Sequence, residues 1–332
     1  MRGFIALIAT LCLLAPFALA SAADVELSGA IEVEVGFTEE NNVKGEDITT
    51  STMAIGFDTK VAEQVEGHAV LLFEEDDTEP IAVDEAFIVI SPSEALFIQA
   101  GSYAVAFGAF ESLLISDPLT TGVGETSQSA ITVGINTGPA TIQFGTFNGD
   151  VFEAAEDEEK INTYFLSAGY SAEYGSGIKV NASASYISSL AESDGLEGEV
   201  VTKNGNGDPV VDSTIAGYGA YINVGYERFT FIAEYIVAAS EFDAADFGAE
   251  IKPEAYNLEF GADISDSTAV AFRYGGTKDL GTVLPETVTA AMISHGIYDN
   301  TTLAVEYLKG SFDDDTGLDD ISALTIQLAI EF

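Results

Sequence analysis

The chain carries one cysteine, Cys12, no tryptophan and two histidines, His68 and His295. Cys12 lies in an N-terminal stretch read below as removable, so neither a disulfide nor a Cys-based metal site is expected. That suits an oxidising compartment. No Cys/His cluster that could hold zinc is present. A Ser-His-Asp hydrolase would have to use one of them, and neither stands beside a nucleophile elbow. No Gly-rich phosphate loop opens a helix. The expectation is therefore no enzyme, no cofactor and no metal centre, with a hydrolase using one histidine as the remaining alternative.

Bases are also scarce. Eleven Lys+Arg stand against 55 Asp+Glu, a net charge of −44 at pH 7. No basic stripe is present to meet phosphates, so nucleic acid is excluded as a partner. Acidity alone can signal disorder, but 47% of the residues are hydrophobic, which opposes that reading. A chain that is acidic and apolar at once must hold the two properties on separate surfaces. After residue 22, no apolar run reaches the length of a membrane helix.

The N-terminus has the form of an export signal. Met1-Arg2 is followed by an apolar run from Phe4 to about Ala20, and Ala20-Ser21-Ala22 supplies an A-x-A cleavage pattern. An uncleaved anchor is the alternative. Cys12 follows Leu11 where a lipoprotein would have a small residue, which opposes lipid attachment. Removal of 1–22 leaves 332 − 22 = 310 residues and, with Arg2 gone, a charge of −45. No linker or composition shift divides residues 23–332, so they read as one domain. A closed barrel accommodates that length, because its size follows strand number rather than core volume.

Period-two alternation recurs along this domain. At the C-terminus Leu324, Ile326, Leu328, Ile330 and Phe332 share one face, opposite Ala323, Thr325, Gln327, Ala329 and Glu331. Near the start, Val25, Leu27, Ile31, Val33, Val35 and Phe37 oppose Glu26, Ser28, Glu32 and Glu34. About sixteen such segments are predicted, near 24–37, 48–60, 65–74, 80–90, 95–103, 128–137, 139–148, 161–174, 177–188, 214–227, 229–239, 254–264, 267–277, 286–298, 300–312 and 320–332. Each is long enough to cross a bilayer as a tilted strand. Val83-Asp84-Glu85-Ala86 breaks the alternation, so one carboxylate must face outward or lie at the rim.

The connections alternate in length. Short ones are expected at Ser91-Pro92-Ser93, Thr137-Gly138-Pro139, Gly175-Ser176, Glu227-Arg228, Ser265-Asp266 and Asp299-Asn300. Longer acidic ones are expected at 38–47, 75–79, 104–127, 149–160, 189–213, 240–253, 278–285 and 313–319. With an even strand count, both termini fall on the short-turn side. This predicts an all-β fold: a transmembrane up-and-down antiparallel β-barrel of about 16 strands, with short periplasmic turns and long external loops. The first strand begins almost at the mature N-terminus, which leaves no room for a plug.

Several blocks resemble the LbtU-type siderophore porins. They are Glu26 to Glu34 (ELSGAIEVE), Leu71 to Thr78 (LLFEEDDT), Val83 to Ala86, Phe107 to Ser112 (FGAFES), Ile115 to Thr120 (ISDPLT), Gly124 to Thr126 and Phe147 to Asp150. Ser193 to Leu196, Glu234-Tyr235 and the last strand extend the likeness across the mature length. Ala106 stands where the family pattern has proline. The resemblance implies an outer-membrane barrel linked to uptake of iron–siderophore complexes. Separately, the terminal Phe332 after alternating apolar residues resembles the end of many outer-membrane proteins, which implies that the barrel-assembly machinery reads it.

Candidate functional residues follow from alternation and from the third long connection. Segment 104–127 reads either as a surface loop or as a constriction folded into the lumen. In the second case it would carry Glu111, Asp117 and Glu125, with Pro118 setting a bend. Phe107, Phe110, Leu113, Leu114 and Ile115 favour the infolded form. By alternation the inward acids are Glu26, Glu32, Glu34, Asp58, Glu74, Glu173, Glu234, Glu259, Glu306 and Glu331, and the inward bases are Lys179 and Arg273. Glu74, Glu234, Glu259, Arg273 and Glu306 join the three loop acids as candidate pore-lining or constriction residues. Carboxylates in a narrow pore predict cation preference; the alternative is that rim acids such as Glu26 and Glu331 serve only hydration. Glu74 to Asp77 and Asp313 to Asp320 resemble calcium loops, but Gly317 and Leu318 break the EF-hand pattern. They read as solvated loops, or as bridges through divalent ions to lipid phosphates. The functions that follow are a channel for siderophore or small solute, a general diffusion porin, or a structural envelope protein with cation-binding loops. Outer-membrane lipid and a homo-oligomer are the expected partners.

Overall fold

The computed structural model describes residues 24–40, 43–75, 80–154, 160–175, 177–280, 283–313 and 316–332. The expected signal segment 1–22 lies outside them, as do Asp76 to Thr78, Ser176, Asp314 and Asp315.

Sixteen strands close into one antiparallel barrel. They are β1 (Asp24–Glu40), β2 (Val43–Ala62), β3 (Val65–Phe73), β4 (Ala82–Ser93), β5 (Leu96–Ala104), β6 (Ser127–Thr137), β7 (Ala140–Phe147), β9 (Thr163–Glu173), β10 (Ile178–Ile187), β12 (Gly217–Tyr226), β13 (Phe229–Ala238), β14 (Glu254–Ser265), β15 (Thr268–Lys278), β16 (Thr287–Tyr298), β17 (Thr301–Ser311) and β18 (Ile321–Glu331). Two short strands, β8 (Phe152–Glu153) and β11 (Val210–Val211), pair in parallel between two outer connections. Each barrel strand pairs with its neighbour, and β18 closes on β1. Phe332 completes the seam through its main chain: Gly29 N donates to its carbonyl at 2.8 Å, and its own N–H donates to Gly29 O at 3.0 Å. Closure removes every sheet edge, as a strand wall in a bilayer requires.

Three local expectations are corrected. Residues 38–47 are not a loop: β1 and β2 run on to Glu40 and Val43 as a long hairpin. The turn expected at Ser91-Pro92-Ser93 falls after Ser93, because Pro92 sits at a bulge where β4 can forgo an amide donor. The break at Asp84 is a third case. Register steps from Val70↔Glu85 to Leu71↔Val83, so Asp84 is the extra residue of a bulge. The bulge absorbs one residue and lets Glu85 face inward while Val83 faces out.

Alternation sorts the two faces. Exposed apolar side chains such as Leu27, Ile88, Ile131, Phe231, Phe272 and Leu328 face outward, where lipid replaces water. Tyrosines at the outer strand ends form an outward arc: Tyr164, Tyr186 and Tyr218 stand 5.6–5.9 Å apart in sequence along the wall, and Tyr256 meets Tyr274 at 5.8 Å. Such rings suit the membrane interface.

The long outer connections do not stand in water. Those after β5, β7, β10, β13 and β15 contribute to one apolar cluster that includes Phe107, Phe147, Leu190, Leu196, Phe242 and Leu280. Gly217 on β12 leaves the room: a Cβ there would lie 2.8 Å from Leu190 and 2.9 Å from Phe107. One side of the lumen is thereby filled, and the wall from β18 through β1 to β4 stays mostly part-buried or exposed.

Candidate functional site

Segment 105–126 enters the lumen, because its main chain is bound by inward side chains of five strands, beginning with Ser185 on β10, whose Oγ accepts from Gly108 N at 3.2 Å. Glu234 on β13 accepts from Ala109 N at 2.7 Å, from Phe110 N at 3.2 Å and from Thr120 Oγ1 at 2.7 Å. Glu259 on β14 accepts from Leu113 N at 2.6 Å and from Asn257 Nδ2 at 3.0 Å. Glu306 on β17 accepts from Ile115 N at 2.6 Å and from Ser116 Oγ at 2.5 Å. An irregular segment leaves its amides without ladder partners, and ionised carboxylates are strong acceptors for them.

Arg273 on β15 locks the centre. Its Nε and Nη2 lie 2.9 and 2.8 Å from Glu259 Oε1. The same guanidinium donates to Ser116 Oγ, Asp117 O, Ser112 Oγ and Ser116 O at 2.5–2.9 Å. The Arg273 and Glu259 side chains are 1% and 0% exposed, so this base is shut away from passing ions.

The loop acids fare differently. Glu111 accepts from Tyr221 Oη and, at 2.8 Å, from Asn223 Nδ2, both on β12. Asp117 has a surface open to the lumen, yet protein lies on most sides of its carboxyl. Burial lifts that carboxyl above the usual range, Arg273 opposes the lift and Glu306 adds to it. Glu125 is pushed up to about 7, first by burial and then by Asp194, Asp117 and Asp84. The influence of Asp84 means that the exit of the segment faces the β4 wall. Phe110 holds a left-handed backbone at φ 53°, a strained conformation for a bulky residue between anchors on either side.

Of the eight candidates, Glu234, Glu259, Arg273 and Glu306 converge on the segment as anchors rather than as open pore lining. Glu111, Asp117 and Glu125 lie along it. Glu74 stands half-buried just past β3, outside that group. Sequence reasoning missed Ser112, Ser116 and Thr120. Alternation could have found Tyr221, Asn223 and Asn257 but carried no sign of what they bind. It also missed Glu192, buried after β10, which accepts from Asp150 N and Val151 N at 2.8 and 3.2 Å. Lys60 is a further inward base, paired with Glu66 at 3.6 Å near the periplasmic end. His68 faces inward, whereas His295 faces out and bonds Thr268 at 2.9 Å, so the barrel wall separates the two. Among the described residues, no group of three or more His, Cys, Asp or Glu could hold a metal ion.

Comparisons with known proteins agree on the class. A UPF0422 protein of Coxiella burnetii is 26% identical over 270 residues, 76% of this chain and 57% of that protein. One from Legionella pneumophila is 23% identical over 319 residues, 85% and 58%. The chain thus spans under two thirds of the curated relatives it matches. In structure it is similar to the outer membrane channel DcaP of Acinetobacter baumannii (TM-score 0.67, 15% identity, 96% of this chain and 100% of that one). It is also similar to an anion-selective porin from Comamonas acidovorans (0.63, 11%, 93% and 100%). The trimer form of OmpT of Vibrio cholerae scores 0.58 (13%, 94% and 100%). At such identities these likenesses show the fold alone. The Gram-negative porin profile matches residues 6–315, and with a closed sixteen-stranded wall and an inward segment narrowing the lumen, the chain belongs to the Gram-negative porin family of outer-membrane channels.

Proposed function

We propose that this channel passes small solutes passively and with weak selectivity, favouring cations. One observation carries the reading. Arg273 is neutralised and buried by Glu259, while Glu111, Asp117 and Glu125 have no ion-pair partner among the described residues. Negative charge in a narrow aqueous passage concentrates cations and repels anions; Glu125 contributes fully only above about pH 7. The measurement is the reversal potential of the purified barrel in a planar bilayer under a salt gradient. Anion preference would overturn the reading, and a non-conducting barrel would favour a structural envelope role. The triple variant E111Q/D117N/E125Q should lower the cation-to-anion ratio.

A second reading is uptake of a ferric siderophore, supported by the sequence blocks that resemble the siderophore porins. An acidic passage opposes a negatively charged complex, so the cargo would have to be neutral or cationic. Growth under iron limitation, with and without the protein and with defined ferric siderophores, tests it; equal growth counts against it. Self-association is proposed for the β1–β7 side of the outer surface, since the outward tyrosine arc runs only from β9 to β17. Cross-linking in detergent that yields monomer alone would contradict it.

A further inference from the structure

The part-buried wall opposite the anchored segment carries one unusual group. His68 on β3 lies between carboxylates of both neighbouring strands. Its Nδ1 is 2.6 Å from Asp58 Oδ1 on β2, and its Nε2 is 3.2 Å from Glu85 Oε2 on β4. The register Asp58↔His68↔Phe87 puts all of these side chains on the inner face. The bulge at Asp84 is what keeps Glu85 there. The imidazole is stacked on Phe87, with ring centres 4.8 Å apart and planes 31° apart. Phe87 in turn meets Tyr103 at 5.5 Å and packs on the cluster holding Val105 and Phe107, the root of the inward segment. The His68 side chain is 24% exposed, so it is held firmly and still reaches lumen water.

We propose that His68 is a selectivity-determining residue, whose protonation sets how negative the free wall of the passage is. The chemistry is that of the donor count. A neutral imidazole donates one hydrogen bond and an imidazolium two, whereas an ionised carboxylate only accepts. Both contacts can form together only with the imidazolium, and the trio then nets one negative charge. Loss of the proton turns one contact into lone pair against lone pair and leaves two negative charges. Imidazole is the ordinary side chain that makes this change between pH 5 and 8.

The neighbourhood makes the change count. Between Lys60 at the periplasmic end and Lys44 at the outer tip, His68 is the only basic side chain on β1–β5. The titratable groups facing it are Asp58 and Glu85, with Tyr103 behind Phe87. Glu26 stands across from Asp58 on β1, and Asp84 connects the wall to Glu125 of the inward segment. A unit charge about 6 Å from an ion in a water-filled passage changes its local concentration roughly threefold.

This inference rests on the channel reading above and deepens it. The test is the reversal potential of the full barrel in bilayers under a potassium chloride gradient, from pH 5 to 8.5. Glu125 also titrates near 7, so the diagnostic quantity is the difference between variants made on an E125Q background. With His68 present, the cation-to-anion ratio should rise about tenfold across the range, because the cation gains and the anion loses roughly threefold each. In H68Q it should stay flat at the high-pH value; in H68K it should stay flat at the low-pH value. Equal pH dependence with and without His68 overturns the inference even if the channel prefers cations. Anion preference at every pH overturns the channel's proposed sign, while a His68-dependent step would still stand. Should H68Q fail to assemble, E85Q reads the same point: with one of the two carboxylates removed, the cation-to-anion ratio at pH 8.5 must fall toward the low-pH value of the protein with both, and an unchanged ratio refutes the role.

Discussion

Replacing Arg273 by methionine should free the inward segment. The side chain is similar in length and apolar, so shape is largely kept while the charge goes. In the native protein the guanidinium holds Glu259 at 2.8 and 2.9 Å and donates to four oxygens of the segment. Glu259 would then keep only Leu113 N and Asn257 Nδ2 as donors, with its charge buried and unpaired. Breaking a buried pair on one side costs about 3–5 kcal/mol. At about 1.4 kcal/mol per decade, detachment of the segment becomes roughly a hundred- to several-thousandfold more populated. Most of that cost falls on the infolded state, since a detached segment lets water reach Glu259. Single-channel recording should show larger conductance and more open-channel noise, and limited proteolysis in detergent should cut within 105–126. The double variant E259Q/R273M removes the orphan charge and should recover part of the loss. R273M with unchanged conductance, noise and protease resistance would refute the anchoring role.

Other perturbations read the outer connections and the seam. Burial first of all, with Asp150 and Glu197 adding, lifts the Glu192 carboxyl to about 7. Its folded-state value is thus above the ordinary one, so its stabilising share is complete below about pH 4.5 and is lost as pH rises through 7. Resistance of the outer connections to heat and protease should therefore be greater at pH 5 than at pH 8, by about 2–3 kcal/mol at most, and E192Q should flatten that slope. Gly149→Ala should destabilise the same region by about 1–3 kcal/mol, because the new Cβ would overlap the Glu192 carboxyl and push it off its amide donors; wild-type melting would contradict this. Deleting Phe332 removes both hydrogen bonds to Gly29 and the terminal aromatic expected to be read at assembly. The yield of heat-modifiable barrel should fall several-fold, and an unchanged yield would dismiss both roles.

The wall was legible in the sequence, because a membrane barrel writes lipid and lumen into alternate residues. Val25 to Phe37 and Leu324 to Phe332 state their faces without any knowledge of their partners. Half of the strand order followed from connection lengths, since neighbours joined by a two-residue turn pair antiparallel; pairing across the long outer connections is set by the closed barrel. The bulge at Asp84 was visible as a broken pattern but not as its solution. Only pairing with β3 decides which of two adjacent carboxylates is the extra one.

The roles of the inward charges needed the tertiary structure. Alternation shows that Glu234, Glu259 and Glu306 point inward, as Glu26 does, and cannot separate an anchor from an open charge. That separation rests on amides 124 to 191 residues away in the chain, arriving from a segment with no period of its own. His68 is the same case. Its spacing to Asp58 and Glu85 says nothing until three strands stand in register. The sequence by itself determined which way each side chain faces, because that is a property of one strand. What each inward charge touches, and therefore whether an ion can feel it, was decided only when the barrel closed around its third connection, because contact across a lumen is set by closure and not by any local period.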